Sequence, residues 1–226
     1  MQIAVDGPAG SGKSVISKII AKRYGLLYLD TGAMYRAVAW LKLNGRLSDE
    51  GLLETLHRTE FNFSENGNRL ILSYNLSGAR SEDVTDMIRT QEVTALVSDV
   101  AANAEIRAIL TKIQRQIASG TDVILDGRDI GTVVLPNADL KFFLTASEEE
   151  RAKRRTEEWK IQGKTANYET VLNNMRERDA KDSSRDIAPL TKSNDAIEID
   201  TTGLTINEVT AIIDAAINVF LNSAEG

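Results

Sequence analysis

The densest chemistry in the chain lies near its amino end. Gly7-Pro8-Ala9-Gly10-Ser11-Gly12-Lys13-Ser14 fits the pattern G-x-x-x-x-G-K-[ST]. Glycines let the main chain curl so that successive N–H groups point at one anion. The positive end of a following helix adds to that attraction. Lys13 supplies a full charge for the β- and γ-phosphates, and the Ser14 hydroxyl suits Mg²⁺. A short apolar run precedes the motif and a helical pattern follows it, which is the context the motif requires. These residues predict a nucleoside triphosphate site. A GTPase switch would carry an Asn-Lys-x-Asp guanine reader, and the nearest string, TKSNDA from Thr191, does not fit.

A second group of charges follows the apolar run Val123-Ile124-Leu125, which stops at Asp126 and continues Gly127-Arg128-Asp129. Charges at the end of a buried strand are costly unless paired. In open parallel sheets ligands sit outside the carboxyl ends of the strands, so this edge is shared with the glycine-rich loop. Asp126 is then placed to hold Mg²⁺ directly or through water. Arg128 is placed to grip an acceptor phosphate, and Asp129 to accept from a ligand N–H. The plainer alternative is a structural Arg–Asp pair at a strand end.

In LDTGAMYR, Thr31 and Tyr35 share a helix face with Arg36 beside them. Thr31 alone reads as a cap; the three together can line an acceptor pocket. Ser98 and Arg107 are polar interruptions beside apolar stripes, and each also fits plain surface. Arg178, Asp182 and Arg185 fall at i, i+4 and i+7, one face of a helix. RAKRR supplies Arg151, Arg154 and Arg155. Both arginine groups also fit a solvated surface, with Glu150 and Arg154 an i,i+4 pair. If a phosphoryl group is transferred, an arginine-bearing lid would neutralise its charge and exclude water.

The elements that must hold these residues alternate. Strand-like runs begin at Gln2, Leu26, Val123, Leu140 and Ile197, and between them lie helical patterns from Lys13 to Tyr24, Ala33 to Leu43, Ser48 to Arg58 and Gln91 to Ser119. Charged helices follow Ser147 and Asn167, which act as caps, and an amphipathic helix ends the chain. Strand–helix alternation predicts an α/β, three-layer P-loop fold around a central parallel sheet. Residues 59–85, with Asn66-Gly67 between apolar runs, read as a small antiparallel hairpin insert. The chain divides into one unit of residues 1–226. Its core is 1–58, 86–147 and 186–226, with an insert at 59–85 and a helical lid with adjoining helix at 148–185.

Bulk properties exclude several alternatives. The 226 residues contain no cysteine, so disulfides, thiolate metal sites and cysteine nucleophiles are out. The lone histidine, His57, lies in a charged helical stretch and rules out histidine triads and zinc clusters. A net charge of −6 argues against a nucleic-acid partner, though a small anion remains possible where arginines cluster. No run is long and apolar enough for a membrane span. Asp6 and Gly7 interrupt the N-terminal apolar run before a signal peptide could form, so the expected location is the cytoplasm. Nothing in the sequence demands a dimer, so the expected state is a monomer.

With these motifs in hand, the sequence resembles the bacterial cytidylate kinases of the nucleoside monophosphate kinase family. DGPAGSGKS, LDTGAMYR, IRTQEV, LDGRDIGTVV, ERAKRR and RDIAPL occur in that order along the whole chain. Adenylate kinases instead carry Asp-Gly-Phe-Pro-Arg where this chain has DGRD. The resemblance implies ATP-dependent phosphorylation of CMP and dCMP with Mg²⁺. It implies that Thr31 (a position where the family usually has Ser), Tyr35 and Arg36 line the monophosphate site, and that Ser98 and Arg107 read cytosine. Arg128 would bind the acceptor phosphate and Asp129 the base amino group. Arg178 would serve the phosphates, Asp182 the ribose and Arg185 the acceptor side. Lys13, Arg128, Arg151 and Arg155 would stabilise the transfer, with Ser14 and Asp126 at the metal. Uracil exchanges donor for acceptor at two ring positions, so UMP is expected to be a poor substrate.

Two readings from other classes stay open on the residues alone. One is a regulatory nucleotide-binding module that hydrolyses slowly. The other is a kinase for a different small acceptor, such as a nucleoside or a shikimate-like metabolite, with Asp126 or Asp129 as its base.

Overall fold

The computed structural model describes residues 1–64, 69–76, 78–161, 163, 165 and 167–224. Five parallel strands form the central sheet: β1 (Gln2–Asp6), β2 (Leu27–Asp30), β6 (Val123–Asp126), β7 (Leu140–Thr145) and β8 (Ile197–Asp200). Their spatial order is β2-β6-β1-β7-β8. The strands read as near-continuous apolar runs because both faces are covered. Alternate residues go to opposite layers. Ala4, Leu29, Val123 and Leu125 face one apolar core, and Ile3, Val5, Tyr28, Ile124 and Phe142 face the other.

Helices α1 (Lys13–Tyr24) and α8 (Ile206–Ala224) cover the second face. The first is covered by α2 (Thr31–Gly45), α3 (Asp49–Leu56), α4 (Gln91–Ala102) and α5 (Ala104–Ala118), giving the three layers the sequence predicts. Gly25 ends α1 in the left-handed conformation, and Ser48 and Asn167 cap their helices as expected. Helices α6 (Glu148–Ile161) and α7 (Tyr168–Ser183) pack on one another through Ala152, Val171, Leu172 and Met175, with Ala9 of the glycine-rich loop against them.

Several boundaries differ from the sequence reading. The expected helix from Gln91 to Ser119 is two, because Asn103 is extended and its side chain accepts from the amides of Glu105 and Ile106, capping α5. The insert is a three-stranded antiparallel sheet rather than a hairpin: β3 (Glu60–Phe63), β4 (Leu70–Asn75) and β5 (Ala79–Asp83). The Asn66-Gly67 turn lies outside the described residues. Asp30, not Thr31, caps α2 by accepting from Ala33 N at 2.8 Å. Arg185 does not share a helical face with Arg178, because α7 ends at Ser183.

The sheet order fixes where ligands can bind. The chain moves from β1 towards β2, and later places β7 on the other side of β1, so the loop after β1 opens at a topological switch point. At the same carboxyl edge the register pairs Val5 and Asp30 with Asp126. Asp6, Asp30 and Asp126 thus end three neighbouring strands.

Candidate active site

The glycine-rich loop needs glycine for two separate reasons. Gly7 adopts φ 142°, and a β-carbon there would lie 2.0 Å from Leu144 O. Gly12 adopts φ 92° at the start of α1, where no side chain caps the helix. Lys13 is buried and donates to Pro8 O at 2.7 Å. Burial and then Arg128 hold its ammonium well below the usual range; Asp126 and Asp6 pull upward, and Arg178 pushes down again.

The Ser14 hydroxyl donates to Asp126 Oδ2, which Tyr28 also approaches at 3.3 Å. Burial, and then neighbouring Asp30, push the Asp126 carboxyl up to about 7. One hydroxyl beside one carboxylate at a phosphate-binding loop is the sparse protein donor set that suits Mg²⁺, which keeps waters and takes phosphate oxygens. Among the described residues there is no cluster of three or more acidic, histidine or cysteine side chains for a protein-caged metal.

Gly127 turns the chain tightly after β6: a β-carbon there would lie 2.6 Å from Ile130 and 2.7 Å from the Thr31 hydroxyl. Thr31 donates to Asp126 O at 2.7 Å, joining β2 to β6. Arg128 Nε donates to Asp182 Oδ2 at 2.9 Å, and Arg185 pairs with the other oxygen of Asp182. Arg107 is buried, pairs with buried Asp129, donates to Ala101 O at 3.0 Å and lies 5.4 Å from the centre of the Tyr35 ring. Burial pushes the Tyr35 hydroxyl up to about 12, against the pull of Arg107.

Arg36 pairs with Asp30 at 2.8 Å and keeps a buried Nε without a partner. Burial works against the Asp30 carboxylate, but Arg36 and the Ala33 amide bring its pKa below the usual range. Arg178 has no ion pair among the described residues. Burial and then Arg128 depress its guanidinium to about 10; Asp182 opposes this, and Arg36 and Arg155 add to it.

A cleft of about 1250 Å³ joins Gly10–Ser14, Arg36, Ser98, Arg154, Arg155 and Arg178. The ion pairs Arg107–Asp129 and Arg128–Asp182–Arg185, with Tyr35 against Arg107, lie outside that lining. Ser98 lines the cleft, and the Arg107 side chain reaches the same helix three residues further on, at Ala101 O. The three lid arginines part company. Arg151 is buried, donating to Ala9 O and Ala146 O at 3.0 Å each and pairing with Asp179. Arg154 is tied to Glu150 and Thr201. Arg155 pairs with Glu158 over the Trp159 ring and lines the cleft.

Arg89, Thr90, Gln91 and Thr94 also line the cleft. They fall within and beside IRTQEV, which carried the resemblance without being given a task.

A glycine-rich loop at the switch point of a parallel sheet, with lysine and arginine gathered at one edge, defines a P-loop nucleotide-binding α/β fold. An uncharacterized protein from Eubacterium ventriosum is similar in fold, with a TM-score of 0.54 at 14% identity over 96% of this chain and 98% of that one. The family model described as cytidylate kinase matches residues 3–219, and the chain belongs to that family. It is 47% identical to the cytidylate kinase of Carboxydothermus hydrogenoformans, covering 93% of this chain and 94% of that protein. It is 50% identical to the cytidylate kinase of Bacillus licheniformis, covering 92% and 91%.

Proposed function

We propose that the chain transfers the γ-phosphoryl group of ATP to the phosphate of CMP and dCMP. One observation carries the reading. Lys13 of the phosphate loop is depressed first by burial and then by the fields of Arg128 and Arg178, and Arg178 is itself depressed by burial and then by Arg128. Such a cluster is costly in a free protein and is relieved when two phosphorylated ligands bring negative charge between its members.

In this reading Gly7–Ser14 hold the triphosphate. Arg36, Arg128 and Arg185 hold the acceptor phosphate, and Arg178 and Arg155 neutralise the group in flight. Thr31 and Tyr35 shape the acceptor pocket, and Asp182 orients Arg128 and Arg185 beside the ribose. Ser98, Arg107 and Asp129 read the base. Arg151 acts on the transfer through Ala9, whose carbonyl it holds. Mg²⁺ on Ser14 and Asp126 would supply charge neutralisation between the phosphates. No strong base is required, because the acceptor oxygen already belongs to a phosphate anion, so positioning and charge do the catalysis.

Residues 59–85 serve as the monophosphate-binding insert and 148–185 as the lid on a core of 1–58, 86–147 and 186–226. The enzyme acts as a cytoplasmic monomer. No helix among the described residues is long and apolar enough to cross a membrane.

ADP release measured with CMP, dCMP, UMP, AMP, GMP and cytidine tests the assignment. Turnover should be fast with CMP and dCMP, slow with UMP and absent with cytidine. No stimulation by any monophosphate would leave a nucleotide-binding module, and turnover with cytidine would leave a different acceptor.

A further inference from the structure

The turn after β6 holds its free amides in an unusual way. Residues Ile130–Val134 form a single π-helical turn, and Asp129 occupies its cap position without accepting a cap hydrogen bond. The Asp129 carboxylate is instead paired with Arg107. The first amides of the turn, at buried Ile130 and Gly131, still need acceptors. Asp6, at the end of β1, provides them: Ile130 N donates to Oδ1 at 2.8 Å and Gly131 N to Oδ2 at 2.7 Å. On the other side of Arg128, Gly127 N donates to Val5 O at 3.0 Å.

Arg128 and Asp129 therefore sit between two ties to Val5 and Asp6, and the next residue, Gly7, opens the phosphate loop. We propose that Asp6 is a positioning residue that fixes the loop bearing Arg128 and Asp129 against the phosphate loop. It thereby sets the separation between acceptor and donor sites. The catalytic consequence rests on the proposed phosphoryl transfer; the mechanical one does not.

The environment of Asp6 gives the tie a pH dependence. Burial pushes its carboxyl up to about 6; the Gly131 and Ile130 amides pull it down, Asp129 pushes it up and Lys13 pulls it down. Lys141 passes on the far side of Gly131, where a β-carbon would lie 3.1 Å from the Lys141 stem and 3.4 Å from Asp6 Oδ2. A proton on Asp6 removes one acceptor and releases one amide.

Asp6→Asn does the same permanently, since an amide offers one oxygen and turns an NH₂ towards the second N–H. The variant should raise the KM for CMP about tenfold to a hundredfold, as a misplaced acceptor loop would. ATP affinity without acceptor should stay within about twofold. The wild-type KM for CMP should rise as pH falls from 7.5 to 5.5. The acceptor phosphate titrates in the same range, so the reading is the difference from Asp6→Asn, whose KM should carry only the phosphate's share. Amide hydrogen exchange across residues 127–134, measured without substrate, should quicken in the variant.

Equal losses for CMP and ATP, identical pH profiles, or unchanged exchange over 127–134 would each overturn the proposal. If the wild type fails to phosphorylate CMP while the exchange difference persists, the strut stands and the substrate assignment falls. Asp6→Glu, which keeps the charge but displaces both oxygens from the two amides by one methylene, gives the same KM and exchange readings should Asp6→Asn not fold.

Discussion

Arg128 donates from Nε to Asp182 at 2.9 Å, and this bond joins the loop after β6 to the end of α7. Asp182 is buried and also holds Arg185, so one carboxylate sets the direction of two guanidinium groups. Asp182→Asn keeps the shape and removes the charge. If Arg128 and Arg185 hold the acceptor phosphate as proposed, it should raise the KM for CMP at least about tenfold, since their shared partner would act mainly through orientation. ATP affinity, measured by calorimetry, should change little. Equal losses for both substrates would mean that Asp182 only supports the fold.

Lys13 is a buried cation whose charge the surrounding arginines oppose. Lys13→Met keeps the stem and removes that repulsion. The thermal midpoint of the ligand-free protein should hold or rise. Turnover should fall by about 10² to 10³, the loss typical of deleting one preorganised charge donor. A variant with near-normal kcat would detach Lys13 from the chemistry.

How much of this was legible follows from where each signal resides. The phosphate loop was readable because its glycines answer local demands, a positive φ at Gly12 and a 2.0 Å approach at Gly7, that leave a fixed spacing in the chain. Strand β5 was not, because Ala79–Asp83 is mostly exposed and carries no apolar alternation. Asn103 was read through because the apolar stripe resumes after it, although its type is a common cap. The apparent register of Arg178, Asp182 and Arg185 concealed the helix end at Ser183. The task of Asp6 was invisible, since its partners are main-chain amides 124 and 125 residues away.

Arg107 and Asp129 are only 4% and 5% exposed, and each is the other's counter-charge. Arg107→Met should cost about 3 kcal/mol in urea unfolding, because it leaves a buried carboxylate unpaired. Adding Asp129→Asn should return part of that loss. If the pair reads cytosine, the wild-type preference for CMP over UMP, up to about 10⁴-fold, should collapse in Arg107→Met. Retained discrimination would reduce the pair to a structural one.

Arg151 and Arg155 lie one turn apart on α6 and should separate in experiment. Arg151 grips the Ala9 carbonyl and Asp179, so Arg151→Met should lower the thermal midpoint and weaken ATP binding together. Arg155 rests on Trp159 at the cleft. Arg155→Met should leave stability within about 0.5 kcal/mol, as for a surface change, and reduce kcat. The reverse pattern would exchange their roles.

The pH dependence of stability tests Asp6 apart from activity. Its carboxyl stands at about 6 in the fold against an ordinary 3.8, mainly through burial. Between those values the folded state holds a proton that the unfolded state releases. Stability therefore is highest below pH 4 for this group and falls as pH rises through 6, by about 3 kcal/mol in all. Asp126, pushed up to about 7, acts in the same direction, so the informative quantity is the difference between wild type and Asp6→Asn. Asp83 and Asp195, held at about 2 chiefly by Thr85 and Lys141, act below pH 4 and stay outside the window. Urea unfolding at pH 4.5 and 7.5 should show a markedly shallower decline in Asp6→Asn. An identical decline would remove the cost assigned to the ionised carboxylate. That cost is what the strut requires: only the charged form offers two oxygens to two amides, so the acceptor loop is held most firmly where Asp6 stabilises the fold least.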